Sequence, residues 1–144
     1  MNVFNIERAF TDKVKRNWDK LFICVDVHDV ILEGKYSLMN DGAAYMPNAV
    51  NVLRNWSNRT DIVLILWTSS HVFPTSKVLD GLEKHGVTFA YVNSNPECPN
   101  TELCDFSKKF YMNILLDDKA GMDAAGGDWF LIEKELKRIG EWRE

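Results

Sequence analysis

The run Leu21-Phe22-Ile23-Cys24-Val25-Asp26 constrains this chain more than any other stretch. Five consecutive apolar residues leave no polar face, which is the pattern of a strand buried on both sides in a parallel sheet. The run stops in a carboxylate, and open α/β folds place their chemistry at the carboxyl edge of the sheet. A second run of this kind, Ile62-Val63-Leu64-Ile65-Leu66-Trp67, stops at Thr68. Leu21 to Val27 reads as the first strand and Val87 to Val92 and Tyr111 to Leu116 as two more, the last of which stops at Asp117-Asp118.

Amphipathic segments separate these runs. Val3, Phe4, Ile6, Phe10, Val14 and Trp18 recur near a helical period and predict a leading helix. Gly34 to Tyr45 is a polar excursion, after which Pro47 suits the first turn of a helix that buries Val50, Val52, Leu53 and Trp56 and ends near Asn58. A helix from about Ser76 to His85 has Gly86 as its stop. Asp128 is a fitting N-cap for a terminal helix to about Trp142, with Trp129, Ile132, Leu136 and Ile139 as its buried stripe. Strands alternating with helices predict a Rossmann-like α/β fold, a parallel sheet with helices on both faces. The chain of 144 residues is read as a single domain, a leading helix over 1–19 and an α/β core over 20–144.

A net charge of -4 and a pI near 5.4 supply no basic excess, which argues against a dedicated nucleic-acid binder. No apolar run is long enough to span a membrane, and the first residues lack the pattern of a secretory leader. Cys24 reads as core. Cys98 and Cys104 lie in a polar loop with no Cys or His cluster to complete a zinc site, so neither zinc nor a disulfide is expected and a cytoplasmic protein is.

Each polar point has an ordinary explanation when taken singly. Asp26 could serve a turn, Thr68 could cap the next helix, and Lys109, like its neighbour Lys108, could be a solvated loop charge. The Asp117-Asp118 pair is more demanding. Adjacent carboxylates at a buried strand end raise each other's cost unless something positive is near. One of them could be a helix cap; a bound divalent cation is the sharper answer, and hard oxygen ligands suit Mg²⁺.

In chain order the points are a strand ending in Asp26, the stretch Ile65-Leu66-Trp67-Thr68, Lys109, then Leu115-Leu116-Asp117-Asp118-Lys119, followed by Gly126-Gly127-Asp128-Trp129. This order resembles that of the haloacid dehalogenase-like superfamily, and within it the small capless phosphatases, over roughly residues 21 to 135. Response-regulator receivers also combine an acidic pair, a Thr and a Lys. Their acidic pair ends the first strand, whereas here it comes last.

The resemblance implies a phosphohydrolase that forms an aspartyl-phosphate on Asp26. Thr68 would bind a phosphoryl oxygen, and Lys109 would neutralise developing charge and hold Asp26 ionised. Asp117 and Asp118 would hold Mg²⁺ together with Asp26 and the backbone carbonyl of His28; which of the pair binds directly is left open. His28 stands where these phosphatases carry a second, acid-base Asp, and Asp29-Val30 stands where they carry Gly-Thr. Imidazole can do acid-base work near neutral pH, but it is bulkier than a carboxyl group and adds a cation when protonated. The alternative reading is therefore an impaired domain that binds metal or phosphate without turnover. The segments 34–46 and 93–108 are too short for a folded cap, so an open site is expected. Its substrate would be a phosphorylated small molecule or polymer end, or a second copy of the chain would cover it.

Overall fold

The two uninterrupted apolar runs form the centre of the sheet. In the computed structural model, which describes residues 2–34 and 43–144, β1 (Leu21–Asp26) pairs in parallel with β2 (Ile62–Trp67) and, on its other side, with β4 (Ile114–Leu116). β3 (Tyr91–Val92) lies beyond β2, giving the order β3-β2-β1-β4 with every pair parallel. The expected polar excursion falls largely on residues 35–42, outside the described residues. A 3-10 turn over Val3–Asn5 leads into α1 (Ile6–Lys15); α2 (Ala49–Ser57) joins β1 to β2, α3 (Val72–Lys84) joins β2 to β3, and α4 (Asp128–Arg138) follows β4. No helix among the described residues is long and apolar enough to cross a membrane.

The parallel α/β arrangement follows the sequence pattern, but the layering differs from the expectation of helices on both faces. Register places Leu21, Ile23, Val25, Ile62, Leu64, Leu66, Ile114 and Leu116 on one side of the sheet. These residues share a single core with the buried positions of all four helices, including Phe10, Trp56, Leu82 and Trp129. On the other side Phe22, Cys24, Val63 and Ile65 pack against Phe110, with Tyr91, Cys98, Tyr111 and Met112 around them. That face is covered by the connection from β3 to β4, residues 93–113, which contains no helix. Pro96 and Pro99 and the absence of a helical apolar period explain why it stays irregular. Aromatic side chains from the loop do the covering that a helix would otherwise do.

The outer strands are shorter than the apolar pattern predicts. At Asn113 the side chain takes over part of the ladder, its Oδ1 accepting from Phe22 N at 2.8 Å while the Asn113 backbone N–H donates to Phe22 O at 2.8 Å. Regular pairing begins only at Ile114. At the start of α3 the helix runs four residues further toward the N-terminus than predicted, because Pro74 fits within its first turn. Asp128 is the first helical residue of α4 rather than its N-cap, a position taken by Gly127 at a φ of 100°. All three cysteines are unbridged, and Cys24 is buried in β1.

Candidate active site

Parallel register brings the strand ends to one edge. Asp26 pairs with Trp67, so Thr68 follows one step beyond on β2. Val25 pairs with Leu116, which sets Asp117 beside Asp26 on the other flank. The connections from β1 run toward β2 and β3, while β4 lies on the opposite side, so the gap between β1 and β4 is the switch point of the sheet. Open α/β sheets hold their ligands in the crevice outside such a point. A cleft of about 570 Å³ lies there, lined by Asp26, His28, Thr68, Asn93, Asp117, Asp118 and Lys119 among others.

Carboxylate oxygens of Asp26, Asp117 and Asp118 lie within 4.8 Å of one another. Burial raises the Asp26 carboxyl to a pKa of about 7, reinforced by its hydrogen bond with Asp118 and by the charge of Asp117. Asp118 moves the opposite way: burial opposes its ionisation, but hydrogen bonds with Asp26 and Asp117 and the neighbouring Lys119 hold it low. Of the two, Asp26 is the more readily protonated. Lys119 Nζ sits 3.4 Å from Asp118 Oδ2 on a largely exposed side chain. Asp117 also has a structural task, since its Oδ1 accepts from Lys119 N at 2.9 Å and caps the 3-10 turn Asp118–Ala120. The cap and the acidic cluster are therefore properties of the same residue.

The turn after β1 is fixed by backbone bonds. Val27 O accepts from Ile31 N and Leu32 N, and Asp29 N donates to Leu32 O at 2.7 Å. Asp29 takes a φ of 63°, a left-handed conformation that glycine adopts freely and Asp tolerates. The departure from Gly at this position therefore keeps a turn that Gly would allow. From the far side of the core, Trp129 Nε1 donates to Val30 O at 2.7 Å and ties α4 to this turn. His28, half-buried, faces the cleft from it.

Thr68 is held by a residue the sequence reading passed over. Asn93, just after β3, accepts from Thr68 N at 2.8 Å through Oδ1 and donates from Nδ2 to Thr68 O at 2.7 Å. Its own backbone is left-handed, with φ at 55°. Thr68 Oγ1 in turn accepts from Ser70 N at 3.1 Å, which leaves the hydroxyl proton to donate elsewhere. Asn93→Ala is expected to lower stability by about 2 kcal/mol, from two hydrogen bonds at about 1 kcal/mol each, with some left-handed strain added. Urea denaturation of the variant measures this, and Asn93→Gly isolates the hydrogen bonds from the strain.

The lysine that the sequence order places at the site stands apart from the cleft. Lys109 does not line the cleft; it is exposed and borders a separate hollow beside Cys104, Phe106 and Met112. Lys108 lines another hollow that shares Trp67 and Asn93 with the cleft. The lysine that lines the cleft itself is Lys119, whose place directly after the acid pair was the available signal.

No family model matches the chain, and neither does any curated protein. Among solved structures, the chain is similar to a conserved protein from Bacteroides thetaiotaomicron, with a TM-score of 0.62 and 23% identity over 83% of this chain and 91% of that one. The likeness is one of fold. It adds a solved example of the same α/β arrangement and leaves the function to be argued from the site.

Proposed function

We propose that this protein is a Mg²⁺-dependent phosphohydrolase of the haloacid dehalogenase-like kind, acting through an aspartyl-phosphate on Asp26. The observation that carries the reading is the convergence of Asp26, Asp117 and Asp118 within 4.8 Å, in one cleft with Thr68 and His28. The donor set fits a hard divalent cation: three carboxylates converge within 4.8 Å, and burial beside neighbouring negative charge raises the Asp26 carboxyl, as in an acidic set without a counter-ion. Asp26, Asp117 and Asp118, with the carbonyl of His28, would hold Mg²⁺, which supplies charge neutralisation at the phosphoryl oxygens.

The chain's own groups then divide the work. An Asp26 oxygen attacks phosphorus, the bond from phosphorus to the leaving oxygen breaks, and that oxygen takes a proton from His28. Water, giving its proton to His28, next attacks phosphorus; the bond to Asp26 breaks, inorganic phosphate departs and the carboxylate is restored. Thr68 donates its hydroxyl proton to a phosphoryl oxygen, held in place by Asn93. Lys119 supplies positive charge at the cleft wall, a role the sequence order assigned to Lys109.

His28 supports a second reading, a domain that retains the metal and phosphate pocket without turnover. Phosphate release from a panel of phosphate monoesters, with and without Mg²⁺, separates the two when run on the wild type and on His28→Asp. Mg²⁺-dependent release by the wild type is the expected result. An inert wild type with an active His28→Asp selects the second reading, and inactivity of both overturns the hydrolase.

A further inference from the structure

The cleft does not end at the carboxylates. A hollow of about 320 Å³ adjoins it, and Trp67 and Asn93 line both. Trp67 is the last residue of β2, directly opposite Asp26 in register, and is 39% exposed although every other residue of that strand is buried. An exposed Trp at a strand end that has just delivered five buried residues is a surface, not a leftover of the core. The ring meets Phe110 edge-on, with centroids 5.6 Å apart and planes at 61°.

The lining is mixed: rings and prolines supply flat apolar surface, and Ser94, Asn95, Asn100, Ser107 and Lys108 stand among them. Phe106, Pro96 and Pro99 form walls beside Trp67 and Phe110, and Lys108 stands at the edge. The walls are set in advance. Asn95 is buried, donates from Nδ2 to Tyr111 O at 2.9 Å and accepts from Glu97 N at 3.2 Å. Asn100 Oδ1 accepts from Phe106 N at 2.6 Å and fixes that ring's backbone. Asn95 is spent on these wall bonds, while Ser94, Ser107 and Lys108 leave polar groups for the edge of a heteroaromatic ring. A flat ring would find stacking surface, and the volume suits one or two fused rings rather than a folded chain. Because Trp67 and Asn93 line both spaces, a ring held in the hollow lies beside a phosphate held in the cleft.

We propose that the hollow binds a planar aromatic or heteroaromatic ring carried by the phosphorylated substrate, stacked on Trp67 with Lys108 at its rim. The inference rests on the hydrolase reading for the phosphate end only; the ring site itself requires no turnover. Its test is chosen accordingly and uses non-hydrolysable phosphonates. Methylphosphonate, phenylphosphonate and a nucleoside phosphonate are titrated calorimetrically into the protein with Mg²⁺ present. At least one ring-bearing compound is expected to bind about ten-fold tighter or more than methylphosphonate, the gain that one stacked ring gives. That ratio is expected to fall toward one in Trp67→Ala and to drop in Phe106→Ala, a variant that removes a loop ring without touching the sheet.

Tighter binding of the nucleoside compound than of phenylphosphonate places the ring a sugar's length from the phosphate; the reverse places it on the phosphate ester itself. Equal binding of ring-bearing and methyl compounds by the wild type, or a ratio unmoved by both substitutions, overturns the proposal. Turnover of glycerol phosphate, phenyl phosphate and a nucleoside monophosphate with equal efficiency, together with equal binding of the three phosphonates, would leave the hydrolase standing and remove the ring site. Ring-dependent binding without turnover of any ester would do the opposite.

Discussion

Asp26→Asn is expected to remove Mg²⁺-dependent phosphate release, lowering kcat by about 10³-fold or more, equivalent to about 4 kcal/mol of transition-state stabilisation. Asn is nearly isosteric, and its Oδ1 can keep the bond that Asp26 Oδ1 accepts from Val27 N at 2.9 Å. What the amide lacks is a negative oxygen able to attack phosphorus. The loss should therefore appear without loss of folding. Stability is expected to move the other way in metal-free protein, because the substitution takes one carboxyl group out of a crowded set of three.

The pH dependence carries the same logic. Asp26 titrates at about 7 in the folded protein, above the ordinary carboxylate range near ~3.9. A group whose pKa is raised on folding contributes stability that is fully present below the unfolded value and is lost as pH rises through the folded one. Metal-free wild type is thus expected to lose stability between about pH 4 and pH 7, and Asp26→Asn to flatten that slope. Thermal melts across that range, in chelator, measure it. A metal-free melting temperature that rises with pH over this window would show that Asp26 is not raised above its unfolded value. Retained turnover in Asp26→Asn would show that another group performs the attack.

How much of this was legible in the residues depends on how local each signal was. The bounds of β2 were readable to the residue and those of β1 to within one, because an apolar run buried on both faces has no competing period. The outer strands were overestimated, since Val87 is buried by packing against the helices and not by strand pairing, and Asn113 replaces a ladder position with its side chain. Layering was misread for a related reason. A helix-free connection can cover a sheet with Phe110, Tyr111 and Met112, and no periodic pattern announces this. The cleft shows the same division. Asp26, Thr68 and Asp117 each end a strand, so parallel register alone brings them together, and His28 and Asp118 come with them. Asn93 ends a strand as well and could have been found by that rule. Lys109 sits in an irregular loop, where order along the chain carries no information about direction, and the structure turns it away from the cleft.

Asp117→Asn separates the two tasks of the acid pair and is expected to give the largest change in metal response. The amide oxygen can still accept from Lys119 N, so the 3-10 turn over Asp118–Ala120 should persist. One negative charge disappears from a set whose oxygens lie within 4.8 Å. Relief of that repulsion at a partly solvated edge is on the order of 1 kcal/mol, and metal-free Tm at pH 8 should rise by about 3 °C. The response to Mg²⁺ should move oppositely. Wild type at a concentration about 100 times Kd gains about 2.7 kcal/mol from a ligand that binds only the folded state. The variant, with one hard oxygen ligand made neutral, should lose most of that gain. Melts with and without Mg²⁺ read both effects from the same samples, and Ca²⁺ in place of Mg²⁺ reports on the ligand geometry. A variant that is more stable in chelator and deaf to Mg²⁺ identifies Asp117 as a metal ligand whose charge the fold tolerates only for the cation's sake. A variant less stable in chelator, with its Mg²⁺ response intact, would reduce Asp117 to a turn cap and leave Asp26 and Asp118 to hold the ion without it.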